Sequence, residues 1–458
     1  MKTHANVESR EKIQPKTTMK ALVYRGLGKP SWEDAPRPRL TASTDAIVRM
    51  TTTSICGTDL HILKGDMPEV KQGRILGHEG VGVIVEKGEG VSAFNVGDKV
   101  LISCVTSCAY CSFCRKGMYS HCQKGGWILG YMIDGTQAEY VRIPFADGSL
   151  YKMPAGIDEA ALSMVSDILP TGYEAGVLNG RIEPGSSVAI IGAGPVGLAA
   201  LLTAQFYSPA MIIMIDPDKN RVQAARALGA THGLSAGDAS VGPSVMELTG
   251  GLGVDVAIEA VGAVPTFLLC QEIVAAGGTI ANIGVHGKSV ELHLEKLWSR
   301  NIHITTRLVD TAAIPMLLKA VESKRLKPEL LITHRFGFDE MPKAYETFAN
   351  AAREKAVKVA ISTEKPFNAL KAPALDASMA GKADGKESPV GESAALYRNG
   401  NKSGDEDNTG GDDADDRTLP NIRNDKNDAT ARKRDTEERF SVEQKREDDK
   451  KREENSRR

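Results

Sequence analysis

The sequence predicts an α/β protein: a β-rich first part, then a doubly wound parallel sheet, then a charged C-terminal segment. Three observations carry this. Between about Met19 and Pro154, apolar runs such as Ala46–Met50, Val81–Val85 and Lys99–Ile102 are separated by Gly, Asp and Pro turns. Between about Ser187 and Val309, short apolar runs alternate with helical segments. Past Thr363, large apolar residues become scarce, and from Asn401 onward more than half the residues are charged.

In the alternating part, Val188–Ile191, Met211–Ile215, Val254–Ile258 and Thr279–Ile283 are expected as strands. Val196–Phe206 and Lys219–Leu228 suit helices between them. That rhythm implies βαβ units, whose crossovers bury a parallel sheet on both faces. A helix over Ile314–Ser323 then leads to a last strand, Ala356–Ile361. The change of composition marks a tail over 363–458. The tail cannot bury enough surface to offset ordering, so it is expected to be disordered. Its other reading, an interaction segment, lacks an apolar anchor pattern.

With 458 residues the chain is too long for one ordinary domain. A formal net charge of -2 offers no basic field for nucleic acid or an acidic membrane. No run approaches the roughly 18–20 apolar residues of a membrane helix. The first 18 residues mix charged and polar types, and Glu8 and Glu11 argue against a transit peptide. The expectation is a cytoplasmic protein with neither nucleic-acid nor membrane partners.

Cysteine usage is more specific. Seven cysteines without a signal segment argue against a disulfide framework. Four of them, Cys108, Cys111, Cys114 and Cys122, form C-x2-C-x2-C-x7-C. That spacing suits tetrahedral zinc, and four thiolates leave no open position, so the site is expected to be structural. The other readings are a group of small buried thiols, or two disulfides in an oxidised chain. Cys104 and Cys270 lie outside the pattern and read as small apolar filler.

Gly192-Ala-Gly194-Pro-Val196-Gly197 follows an apolar run and opens a helical one. In that context Gly192 permits the turn, Gly194 lets the backbone approach a pyrophosphate, and Gly197 allows close helix–strand packing. Asp216 falls 19 positions after Gly197, where a carboxylate accepts the adenosine ribose hydroxyls. Its charge opposes a 2′-phosphate, which favours NAD over NADP.

Cys56-Gly-Thr58-Asp59-Leu-His61 and Gly77-His78-Glu79-Gly80 lie in the β-rich part, and one thiolate with one imidazole can begin an open zinc site. Taken with the four-cysteine lobe and the glycine loop, in this order, these motifs make the chain resemble a zinc-dependent alcohol dehydrogenase of the medium-chain dehydrogenase/reductase superfamily over about Met19–Ile361. The resemblance implies an extension over 1–18 before the usual family start, a GroES-like catalytic domain over 19–168 and 310–362, a Rossmann NAD-binding domain over 169–309, two zinc ions per chain, and a dimer or tetramer. It implies catalytic zinc on Cys56, His78 and a third residue, which here is Asp167 as in bacterial Cys-His-Asp members, because no cysteine lies between Cys122 and Cys270. Glu79 is then either an exchanging fourth ligand or a neighbour of the ligands, and Asp59 is the carboxylate that orients the zinc-bound imidazole.

The resemblance also implies the chemistry. Zinc lowers the pKa of an alcohol hydroxyl. Hydride passes to the nicotinamide, and the proton leaves through Thr58 and the nicotinamide ribose toward His61, a residue type suited to passing protons. Val196 and Thr171 correspond to residues against the nicotinamide, Arg221 flanks the adenosine, and Lys358 sits near the pyrophosphate. The expected activity is reversible oxidation of short or medium primary or secondary alcohols, with formaldehyde, polyol and threonine dehydrogenases as neighbouring readings. A non-catalytic nucleotide-binding protein on the same fold is the alternative from another class, and it predicts a lost ligand or relay residue.

Overall fold

The computed structural model describes residues 17–236 and 240–363. The expected extension, up to residue 16, and the expected tail from 364 onward lie outside the described residues. Thr18, placed in the extension by the sequence, is already the first paired residue of a strand.

The first part is β-structure. A hairpin of β1 (Thr18–Tyr24) and β2 (Pro30–Pro36) stands apart from the larger sheet. The large sheet begins with β3 (Ala46–Ser54), whose run of small, β-branched and apolar residues buries all but two positions. Helix α1 (Gly57–Lys64) follows at once. Then come β4 (Gly80–Lys87), β5 (Lys99–Ile102), β6 (Tyr140–Ile143) and β7 (Leu150–Lys152). The β3–β4, β4–β5, β5–β7 and β3–β6 pairs are all antiparallel.

The second part is a six-stranded parallel sheet. Its elements are β8 (Ser187–Ile191), α2 (Pro195–Ala204), β9 (Met211–Asp216), α3 (Lys219–Ala227), β10 (His232–Ser235), α4 (Val241–Leu248), β11 (Val254–Glu259), α5 (Val264–Ile273), β12 (Val274–Asn282) and β13 (His303–Thr306). The spatial order is β10-β9-β8-β11-β12-β13. The chain winds outward from β8 in one direction, then returns to wind outward from β11 in the other. That reversal between β8 and β11 is the crevice where a doubly wound sheet takes a ligand. The sequence missed β10 and β13 because they are the two edges. Edge strands need not be apolar on both faces, and His-Gly-Leu-Ser and His-Ile-Thr-Thr are half-exposed or exposed.

Helix α6 (Ile314–Glu322) carries the chain back. Then β14 (Ile332–Gly337), α7 (Met341–Ala349) and β15 (Lys358–Ser362) rejoin the first sheet, β15 antiparallel to β3 and parallel to β14. One apolar cluster includes Val81 and Leu101 of the first sheet, Leu198 and Leu201 of α2, Val188 and Ile190 of β8, and Leu317 of α6. Each such side chain contributes about 1.5–3 kcal/mol by leaving water. Helix α2 is buried from Gly197 to Ala204, so no polar face survives in its sequence.

The start of α2 is fixed by close packing. Gly192 has φ 104, a left-handed conformation that favours glycine, and a methyl on Gly197 would lie 1.8 Å from the Gly192 carbonyl oxygen. Gly197→Ala is therefore expected to cost at least about 2 kcal/mol, because rigid backbone must shift to accept it. Denaturant unfolding measures this, and an unchanged midpoint would contradict it.

Candidate active site and metal centres

Cys56 lies two residues past β3 and caps α1. It is the N-cap residue, in extended conformation, and its backbone N–H donates to Asp59 Oδ2 at 3.0 Å. Asp59 occupies N3 of the helix, so C-x-x-D works as a reciprocal cap that fixes the thiol at a helix N-terminus. His78 and Glu79 sit in the turn before β4, between two glycines that the fold requires. A methyl on Gly77 would strike Thr136 and Gln137, and one on Gly80 would strike Met50 and the Thr52 carbonyl. Asp167 precedes a short turn of helix, and its neighbour Ser166 accepts through Oγ the N–H of Gly80 at 3.0 Å, tying the two loops together.

These four side chains meet. The ligand atoms of Cys56, His78, Glu79 and Asp167 all lie within 4.8 Å of one another. His78 Nε2 is 3.2 Å, and Cys56 Sγ 3.7 Å, from Asp167 Oδ2. Tetrahedral zinc with these donors would set N···O and S···O separations of about 3.4 and 3.6 Å, so the set fits that ion. Glu79 Oε1 is buried without a hydrogen-bond partner, as a carboxylate oxygen facing an intended cation would be.

The electrostatics point the same way. Burial disfavours a charged His78, but the Cys56 sulfur and the Asp167 carboxylate outweigh it and raise the imidazole pKa well above its ordinary value. Burial also opposes the Asp167 charge, yet the hydrogen bonds from His78 and Thr171 and the Lys358 charge hold its pKa below the usual carboxylate range. A proton and a metal cation compete for the imidazole nitrogen, so the neighbours that raise the His78 pKa also favour a cation there.

Three expectations change. Lys358 does not reach toward a pyrophosphate. It is fully buried and its ammonium donates to the Ile55 carbonyl at 3.0 Å and to Glu79 Oε2. A buried ammonium needs an anion more than it can offer one to a ligand. Asp59 is bonded to the Cys56 N–H and, at 3.0 Å, to the Gln137 amide, rather than to the His78 imidazole. It thereby braces the thiol's backbone. Cys104 is more than filler, because its thiol donates to Asp167 Oδ1 at 3.4 Å, and burial keeps it protonated by raising its pKa. Cys270 is buried in an apolar cluster as expected.

Sequence reasoning missed Gln137 and Tyr345. Gln137 is fully buried and Tyr345 Oη donates to its Oε1 at 2.7 Å. The Tyr345–Gln137 bond spans 208 residues of chain and, through the Gln137 amide, links α7 to Asp59, and no local signal could have shown it.

All seven cysteines are free thiols. Cys108, Cys111, Cys114 and Cys122 converge with their sulfurs within 4.8 Å of one another, and Cys111 and Cys114 are 3.5 Å apart. Zn–S bonds of about 2.3 Å in a tetrahedron would separate sulfurs by about 3.8 Å, so four thiolates here fit a closed zinc site. Backbone N–H groups of Cys114 and Gln123 pull the Cys111 thiol down to about 6, while burial pushes Cys114 up to about 12.

At the glycine loop, a methyl on Gly194 would meet nothing within 4 Å, which leaves the open approach a pyrophosphate needs. Asp216 accepts the Ala193 N–H at 2.8 Å through Oδ2 and the Asp218 N–H at 2.8 Å through Oδ1, so it braces the loop as well as ending β9. Val196 is half-buried in the first turn of α2, and Arg221 is half-buried in α3. Thr171 donates to Asp167 Oδ1 at 2.8 Å. Thr58 Oγ1 is 3.6 Å from Cys56 Sγ, and His61 lies one turn further along α1.

A cleft of about 680 Å³ opens between the four-cysteine lobe, through Met118 and His121, and the C-terminal ends of β12 and β13, through Val285 and Leu308. Val309, next to Leu308, packs with Cys104 and Trp127, and the Trp127 ring lies edge-on to His78 at 5.5 Å.

Known proteins share this arrangement. Residues 42–155 match the family model described as alcohol dehydrogenase GroES-like domain, and residues 195–323 match that described as zinc-binding dehydrogenase. An alcohol dehydrogenase of Cupriavidus necator is 35% identical over 367 residues, covering 75% of this chain and 98% of its own. The apo form of zinc dependent alcohol dehydrogenase 2 from Streptococcus pneumonia is 55% identical with a TM-score of 0.73, covering 76% of this chain and 99% of its own. An E. coli CFT073 protein described as a short chain alcohol dehydrogenase, complexed with NADH, is 25% identical with a TM-score of 0.68, covering 76% of this chain and 100% of its own. With both halves matched in order around these two ligand clusters, the chain belongs to the zinc-dependent alcohol dehydrogenases of the medium-chain dehydrogenase/reductase superfamily.

Proposed function

We propose that this enzyme oxidises short or medium primary or secondary alcohols reversibly to aldehydes or ketones with NAD. The observation that carries the site assignment is the meeting of one thiol, one imidazole and two carboxylates within 4.8 Å. Cys56, His78 and Asp167 would hold the catalytic zinc, which supplies the Lewis acidity that makes an alcohol hydroxyl acidic. Cys56 and Asp167 each bring one negative charge, so the three ligands neutralise a dication, while Glu79 and Lys358 form a neutral pair beside it. Glu79 is thus held ready without being required as a ligand. Thr58 takes the hydroxyl proton and His61 passes it to water. NAD accepts the hydride, with its pyrophosphate over Gly194 and its ribose at Asp216, Val196 and Thr171 on the nicotinamide side, and Arg221 beside the adenosine.

We also propose a homo-oligomer in the cytoplasm. The seven free thiols support a reducing compartment. No helix among the described residues is long and apolar enough to cross a membrane. Support for self-association comes from the edge strand β13 and the residues before it. Leu294 and Trp298 are 59% and 78% exposed, and Ile304 of β13 is exposed as well. Light scattering should show a dimer or tetramer, and a monomer at micromolar concentration would refute this.

Metal analysis of purified protein should find two zinc ions per chain. Asp167→Ala should lose one of them and lower kcat at least about 100-fold. Zinc binding must displace the His78 proton, whose pKa is raised in the metal-free site, so retention against a chelator should weaken as pH falls. Full zinc and full turnover in Asp167→Ala would remove Asp167 from the ligand set.

Preference for NAD over NADP in kcat/KM should be about tenfold or more, and Asp216→Ser should narrow it by removing the charge that opposes a 2′-phosphate. Equal use of both cofactors by the unmodified enzyme would contradict the assignment of Asp216.

A further inference from the structure

The last turn of α1 holds a pair of which the proton path has used only one member, His61. Gly65 ends the helix in a left-handed conformation, φ 91, and donates its N–H to the His61 and Ile62 carbonyls at 3.1 and 3.0 Å. The chain thereby doubles back, and the Asp66 N–H also bonds the His61 carbonyl at 3.0 Å. This places the Asp66 carboxylate against the ring, with Oδ2 2.7 Å from His61 Nδ1. The contact follows from the helix-ending geometry: a left-handed glycine returns the next residue to the last turn.

A carboxylate that accepts from Nδ1 requires the hydrogen to be on that nitrogen. The other nitrogen, Nε2, then carries the lone pair. We propose that Asp66 is a positioning residue that fixes His61 in the Nδ1–H form and leaves Nε2 as the proton acceptor at the end of the path. This rests on the reading of His61 as the outlet. In the step, a proton passes from the alcohol hydroxyl by way of Thr58 to Nε2. The imidazole becomes imidazolium, and its charge is met by Asp66 and by the C-terminal dipole of α1. The Nε2 proton then goes to water and the neutral ring returns, so no further reactant is needed.

The logic is that of an imidazole oriented by a carboxylate in other proton-transfer sites. Both side chains are partly exposed, 40% for His61 and 51% for Asp66. An exposed pair of this kind contributes little to stability. A change at Asp66 should therefore move the rate and leave the unfolding temperature alone, which separates orientation from a structural role.

The test uses the full chain with both zinc ions, labelled with ¹⁵N-histidine, and assigns the His61 signals by their loss in His61→Gln. The unmodified protein should show neutral His61 protonated at Nδ1 and bare at Nε2. Asp66→Asn should reverse this, because the amide can donate to Nδ1 and leave the hydrogen on Nε2. Its kcat for alcohol oxidation should fall about tenfold with KM for NAD unchanged, and added imidazole should restore the rate. Asp66→Glu, which keeps the carboxylate, should retain most of it. A neutral His61 protonated at Nε2 in the unmodified protein would overturn the proposal. So would wild-type kcat in Asp66→Asn beside a slow His61→Gln, which would spare the outlet itself. Wild-type rates in both Thr58→Ala and His61→Gln would instead remove the relay, and with it any catalytic part for Asp66.

Discussion

The structure depends on how it manages buried charge. Cys56, Glu79 and Asp167 bring three acidic groups into one buried space, and Lys358 is the ammonium placed with them. Isolated ions in such surroundings are costly, and they persist only when paired or bound to metal. Lys358 answers Glu79, and the remaining thiolate and carboxylate sum to the charge of one dication. The same neighbours raise the His78 pKa, so they favour a cation at that nitrogen. The site is therefore built for a cation, and the same argument explains why an aspartate can serve as third ligand where a second cysteine could. Both ligands carry one negative charge, and both are donors to zinc.

That demand shapes the chain path. The four ligand candidates come from three separate segments: the end of β3, the turn before β4, and the loop that leads toward the parallel sheet. Lys358 comes from β15, after the chain has left the first sheet, built the six-stranded sheet and returned. Its bond to the Ile55 carbonyl spans 303 residues. From Asp167 the chain runs through the short turn Ile168–Thr171 into the π-helical stretch Gly172–Leu178, which packs near α2 and so near the glycine loop. Metal cluster and cofactor loop are thus joined by a short piece of buried chain. Close approach of hydride donor and acceptor needs such a rigid connection.

Much of this was legible in sequence where the signal is local. The glycine loop, the four-cysteine spacing and the apolar runs of β3, β4, β5, β8, β9 and β11 depend on near neighbours. β10 and β13 escaped notice because edge strands do not need a continuous apolar run. Lys358 was misread because a lysine in an apolar strand gives no hint of its partner, and Glu79 lies 279 residues away. Asp59 was assigned to the imidazole, whereas its place at N3 of α1 makes it a cap for Cys56, a signal that C-x-x-D before a helix does contain. Gln137 and Tyr345 had no local signal at all. Their role exists only once α7 has packed over the first sheet.

The central claim is that a dication is held by Cys56, His78 and Asp167 while Glu79 is retained by Lys358. Anomalous diffraction at the zinc edge from crystals of the metal-loaded enzyme tests it most directly. The account predicts two zinc peaks, one among the four cysteines and one with the Cys56 sulfur at about 2.3 Å and the His78 nitrogen and an Asp167 oxygen at about 2.0–2.2 Å. Glu79 should remain on Lys358. A peak among the four cysteines alone, or a second zinc bound by Glu79 with Asp167 turned away, would contradict it.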